Sequence, residues 1–221
     1  MPRVQASARV RRPGAGRALW IAGACLLAIA LLWVVAELVP AAQVRDAVLL
    51  RNFTRIEGPH VDAVANFLLK LLEPLLFTIW GAALVLVAIA RDRPRVALAV
   101  AAVMGLAPLS ADKLKPLLAH SHARAGAIHL GPASFPSGHS TAALALALCA
   151  VLVAPRRLRP LVVILGAAFA LAVGCALLIL AWHMPSDVLG GYLTAALWMA
   201  LAVAALRAVE RRWPAARLPR S

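Results

Sequence analysis

Negative charge is scarce in this sequence. Asp and Glu number nine against 23 Lys and Arg, for a formal net charge of +14. Charged residues of either sign make up 14% of the chain, where an average soluble domain carries roughly 25%. Cysteine is scarce too. Cys25, Cys149 and Cys175 are odd in number, each lies in an apolar run, and none has the spacing of a metal ligand. These shortages exclude a disordered tail, a collagen and a disulfide-stapled secreted module. They leave the cysteines as small packing residues. What is plentiful is apolar: 63% of the chain, against roughly 45–50% in soluble domains. A basic balance ordinarily points to nucleic acid, but such binders spread their charge over a folded soluble surface. Here the charge sits in short clusters between long apolar runs. That is the pattern of an integral membrane protein, with the bilayer as partner and no nucleic acid.

A spanning helix needs about 20 apolar residues. Six runs approach that length: 18–36, 74–90 with 65–73 leading in, 96–111, 138–154, 160–182 and 188–206. Loops cannot lie exposed in lipid, because each unpaired backbone group there costs several kcal/mol. The expected fold is therefore all-α, a six-helix transmembrane bundle over 18–209. Basic tails flank it at 1–17 and 210–221. Arg and Lys alternate between its two sides, with 16 at the tails and the even connections and six at the odd ones. By the positive-inside rule, the N- and C-termini are cytoplasmic. The connections 41–64, 112–137 and 183–187 then face outward. The basic clusters themselves are topology signals with an attraction to anionic lipid. The first run is longer than the roughly 7–15 apolar residues of an export signal, and is read as a retained anchor. Lys70 and Glu73, three apart beside Pro74, are expected as a pair at the rim. Deeper in the membrane they would argue for a transporter.

All six histidines fall in the outward connections or the helix starts beside them. Two segments concentrate the polar residues. The first runs from Asp112 through Lys113, Lys115 and a His-rich stretch to Phe135-Pro136-Ser137-Gly138-His139-Ser140-Thr141. Its end opens directly into an apolar helix. Such a start presents free backbone N–H groups at the positive end of a helix, which suits phosphate. Gly138 removes the side chain that would block close approach. The second segment is Trp182-His183-Met184-Pro185-Ser186-Asp187, followed by Gly190-Gly191. Pro185 fits a first helical position and Asp187 its first turn. Four residues separate Asp187 from His183, so the carboxylate can hold one imidazole nitrogen and leave the other free for covalent catalysis. The two glycines permit close helix packing. The first connection, with Arg51, Arg55, Glu57 and His60, reads as an amphipathic stretch on the outer surface without a catalytic role.

The order of these motifs resembles the type 2 phosphatidic acid phosphatase superfamily, whose fold is shared with vanadium haloperoxidases. Pro136-Ser137-Gly138-His139 matches its middle motif in full. His183 and Asp187 match the end of its third motif, and Lys115 the start of its first. The resemblance implies a lipid phosphate or pyrophosphate hydrolase with no cofactor and no metal. His183 would attack phosphorus to give a phospho-histidine, held in its tautomer by Asp187. His139 would protonate the leaving oxygen and then activate water. Lys115 and the backbone N–H groups of Ser137, Gly138 and His139 would hold the phosphoryl oxygens. The site would face outward on a plasma (inner) membrane. Polyprenyl diphosphates, phosphatidic acid and phosphatidylglycerol phosphate are the implied substrates.

Two motif arginines are absent. The Arg-Pro of the first motif falls on His122-Ala123, and the Ser-Arg of the third on Ala176-Leu177. Lys113, His122 and Arg124 are candidates to compensate for the first; nothing near Leu177 does so for the second. The alternative is thus a catalytically degenerate relative that binds lipid phosphates. A zinc site of His120, His122, His129 and Asp187 is disfavoured by the lack of a carboxylate or Cys at a matching interval. A haloperoxidase is disfavoured because those relatives are soluble.

Overall fold

Proline opens most of the helices. It lies in the first turn of six of the eight helices among the described residues, where its missing N–H costs nothing. The computed structural model describes residues 14–119 and 134–213, and all their regular structure is helical. The elements are α1 (Ala15–Leu38), α2 (Pro40–Thr54), α3 (Pro59–Lys70), α4 (Pro74–Ala90), α5 (Pro94–Leu117), α6 (Gly138–Val153), α7 (Arg159–Ile179) and α8 (Pro185–Arg212).

Each of the six apolar runs becomes a helix. Four of these, α1, α5, α7 and α8, are long and apolar enough to cross a membrane. α3 and α4 make a fifth span when taken together, bent by 55°. The lead-in 65–73 is therefore not a straight extension of α4. The helix ends at Lys70, and Pro74 starts a new one at an angle. No ion pair joins Lys70 and Glu73; the Glu73 amide donates to the Lys70 carbonyl at 3.1 Å as the chain turns. With 16 residues, α6 is about 24 Å long, short of the roughly 30 Å hydrocarbon core. Two arginines meet its C-terminal carbonyls. Arg91 donates to Val153 O at 2.9 Å and Arg93 to Leu152 O at 3.3 Å.

The distribution of side chains is inverted relative to a soluble bundle. Small residues fill the interior: Ala107, Ala143, Ala145 and Ala195 are fully buried. Large apolar ones face out, with Trp20 81% and Leu75 and Leu98 73% exposed. Lipid solvates Leu as well as a core does, so packing between helices selects small residues instead. Gly190 and Gly191 carry this furthest. A Cβ on Gly190 would run into the Phe135 ring, and one on Gly191 into Ser140 Oγ and the Ser137 carbonyl. The start of α8 is thereby pressed onto the start of α6. α1 lies along α8 on the other side, and Trp33 Nε1 donates to Leu118 O at the end of α5 at 3.0 Å.

The two ends of the bundle differ in chemistry. At one end, Arg91 and Arg93 reach α6, Arg95 Nη1 donates to Trp213 O at 2.8 Å, and the Arg211 guanidinium lies against Gly14. At the other end stand the starts of α6 and α8, the end of α5, and α2.

Candidate active site

Asp187 is the most enclosed charged side chain at this end, with no solvent exposure. It sits at the third position of α8, where the helix dipole favours an anion. Its Oδ2 accepts from the Met184 amide at 2.9 Å and lies 3.2 Å from His183 Nδ1. The turn closes as the four-residue spacing predicts. Nδ1 donates to the carboxylate, and Nε2 of His183 has no hydrogen-bond partner among the described residues. Asp187 Oδ1 is buried and accepts no hydrogen bond among the described residues. A carboxylate so poorly solvated is a strong partner for an imidazolium. His183 is aimed by the end of α7. Ala181 adopts a left-handed conformation, φ 50°, and the Trp182 amide donates back to Leu177 O at 2.9 Å. This is a helix-ending motif that usually employs glycine.

The start of α6 is built differently. Ser137 is its cap: the buried hydroxyl oxygen accepts from the Ser140 amide at 3.4 Å. The Ser137 amide is also engaged, donating to the backbone carbonyl of Asp187 at 3.0 Å. Ser137 therefore ties the two helix starts together instead of offering a donor to a ligand. Thr141 strengthens the tie, its hydroxyl lying 2.7 Å from Ser137 O and 3.1 Å from Gly191 O. The amides of Gly138 and His139 donate to no acceptor among the described residues.

Gly138 and His139 line a cavity of about 420 Å³ between α4, α5 and α6. One end is polar, with Asp112 and Lys115. The rest is apolar, including Leu72, Phe77, Met104, Leu109 and Ala142. Lys115 Nζ pairs with Asp112 Oδ1 at 3.0 Å. Both stand over Gly138: a Cβ there would lie 3.2 Å from Asp112 Oδ1 and 3.6 Å from Lys115 Nζ. His139 feels the charges of His183, Lys115, Asp112 and Glu73, and its ring meets Trp182 edge to face at 5.9 Å.

The structure thus gathers His139, His183, Asp187, Lys115, Ser137 and Gly138 at one end of the bundle. Of the candidates to compensate, Lys113 is exposed in α5, while His122 and Arg124 lie outside the described residues, as do His120 and His129. At the other missing arginine, Leu177 is fully buried in an apolar cluster with Met184 and Val188. Two further carboxylates stand at this end, neither of them read from the sequence as a site residue. Asp112 lies three residues before Lys115, and Asp46 comes from α2, in the connection read as having no catalytic role. Asp46 Oδ1 accepts from the Ser186 amide at 3.2 Å, and its Oδ2 accepts from Ser186 Oγ at 2.6 Å.

The sequence model of the PAP2 superfamily matches residues 67–211. No curated protein matches the chain. Among solved structures, the chain is similar to one titled "Crystal structure of the first transmembrane PAP2 type phosphatidylglycerolphosphate phosphatase from Bacillus subtilis". The two are 24% identical, with a TM-score of 0.70, over 87% of this chain and 98% of that one. At that identity the likeness shows a shared fold.

Proposed function

The chain belongs to the PAP2 superfamily, and on that premise we propose that it is a membrane lipid phosphate or pyrophosphate phosphatase working through a phospho-histidine. One juxtaposition carries the reading. The His183–Asp187 pair stands beside the start of α6, and that helix start, with its two unspent amides, lines the polar end of an otherwise apolar cavity. The cavity's polar end suits a phosphoryl group and its apolar remainder suits the lipid that carries it.

His183 Nε2 attacks phosphorus in line, and the bond to the leaving oxygen breaks. Its electron pair stays on that oxygen, which takes a proton from His139. Asp187 holds the Nδ1 proton and stabilises the charge on the His183 ring. In the second step His139 takes a proton from water, the water oxygen attacks phosphorus, and the phosphorus–nitrogen bond breaks. Lys115 and the amides of Gly138 and His139 stabilise the charge developing on the phosphoryl oxygens. Ser137 acts through its cap and its tie to Asp187. Charge handled by cations and N–H groups requires no metal ion. With the arginine-rich end of the bundle cytoplasmic, the site opens to the outer interface of the plasma membrane, and α6 joins the other spans as the shortest of six.

The test is phosphate release in detergent, with EDTA throughout, from phosphatidic acid, phosphatidylglycerol phosphate and a polyprenyl diphosphate. The expected result is release from at least one lipid by the wild type and none by His183→Ala. Equal release by both proteins would overturn the mechanism. Leu177, which puts apolar packing where the family has a cation, favours a second reading: a lipid-phosphate binder without turnover. Folded wild type that binds these lipids but releases nothing would establish that reading instead.

A further inference from the structure

We propose that Asp46 is a positioning residue for the His183–Asp187 pair, locking the first turn of α8 from α2; this rests on the hydrolase reading above. α8 starts at Pro185, so Ser186 is its second residue, and its amide has no partner within the helix. Asp46 supplies one, and its second oxygen takes the Ser186 hydroxyl, 140 residues away in the chain. Hydrogen bonds to a charged acceptor are the strong class. Placing that carboxylate needs a fixed backbone, and α2 has one. Leu50, one helical turn from Asp46 on the same face, is fully buried in the apolar cluster that holds Leu177, Met184 and Val188. The same cluster therefore seats α2 and both sides of the His183 turn. Asp187 follows Ser186 directly, so a loosened first turn moves the carboxylate that orients His183. Asp46 does not line the cavity, and it lies outside residues 67–211, which the family model matches.

The experiment compares full-length wild type, Asp46→Ala, Asp46→Asn and Ser186→Ala in detergent by two readouts. The first is amide hydrogen exchange. Peptides covering 184–189 should exchange about 10-fold faster in Asp46→Ala, while those covering α5 stay unchanged. The second is kinetics. kcat should fall about 10- to 100-fold, since small misplacements at a reacting centre have effects of that order, with KM within about threefold. Asp46→Asn, which keeps one acceptor for the amide, should lose less. Combining Asp46→Ala with Ser186→Ala should cost little more than Asp46→Ala alone, because Asp46→Ala already removes the hydroxyl bond that Ser186→Ala removes. Unchanged exchange at 184–189, or a loss confined to KM, overturns the proposal. Should Asp46→Ala fail to fold, Asp46→Asn and Ser186→Ala decide it by the same criteria. Should the wild type release no phosphate, the hydrolase reading fails, and exchange still decides the lock: faster exchange upholds it and unchanged exchange overturns it.

Discussion

At the start of α6 the amides of Gly138 and His139 are unspent and line a cavity beside Lys115. At the start of α8 the amides of Met184 and Ser186 are taken by Asp187 and Asp46. Both ends have the same dipole and the same orphan donors, and both are suited to anions. What separates them is the carboxylates. Two already sit at α8, where a third anion would be repelled. α6 is capped through a neutral serine and left with a glycine, a histidine and a nearby lysine. On the proposed mechanism, the α6 N-terminus is left to substrate by what is kept away from it as much as by what is placed there. Asp112 intrudes there, pairing with Lys115 in front of Gly138.

This contrast can be broken from either end. The largest effect belongs to α8. His183→Ala should lower kcat by at least about 10⁴-fold, as loss of a nucleophile does elsewhere. Asp187→Asn, which keeps the shape but not the charge, should lower kcat by about 10²- to 10⁴-fold with little change in KM. Next comes the cation serving α6. Lys115→Ala should lower kcat by about 10²- to 10³-fold, the effect of removing one preorganised donor. Gly138→Ala should raise KM by about 10-fold. Its methyl group fills the approach to the unspent amides, yet meets only the ends of two mobile side chains. Thermal unfolding of that variant in detergent should match wild type. The smallest effect is the most telling. Asp112→Asn should lower KM by about three- to tenfold, because the substrate no longer competes with a carboxylate for Lys115. Asp112 is 62% exposed and Lys115 26%, so this gain should shrink as salt is raised.

The sequence is most legible where the geometry is local. His183 and Asp187 are one helical turn apart, Pro185 marks the turn, and the structure closes it as expected. The start of α6 was legible for the same reason, down to Gly138. The role of Ser137 was not, because its amide bonds to a carbonyl 50 residues away, a partner no local pattern reveals. Asp46 escaped on the same ground: its bonds to Ser186 cross 140 residues. A residual signal existed in hindsight, since a Pro-Ser helix start needs an acceptor and acidic residues are few. The bend between α3 and α4 was written in Pro74, whose preference for a first helical position marks a new start. Reading 65–73 as a lead-in gave apolarity more weight than that proline. Arg91 and Arg93 were read as topology signals, and they also cap the short α6.

The central claim is that His183 carries the phosphoryl group from the lipid to water. Rapid acid-free quenching of enzyme mixed with a ³²P-labelled lipid phosphate, followed by peptide mapping, tests it directly. A base-stable, acid-labile label is expected on the peptide that contains His183. It should be absent in His183→Ala. Phosphate release by the wild type with no label on that peptide, persisting in His183→Ala, would contradict it.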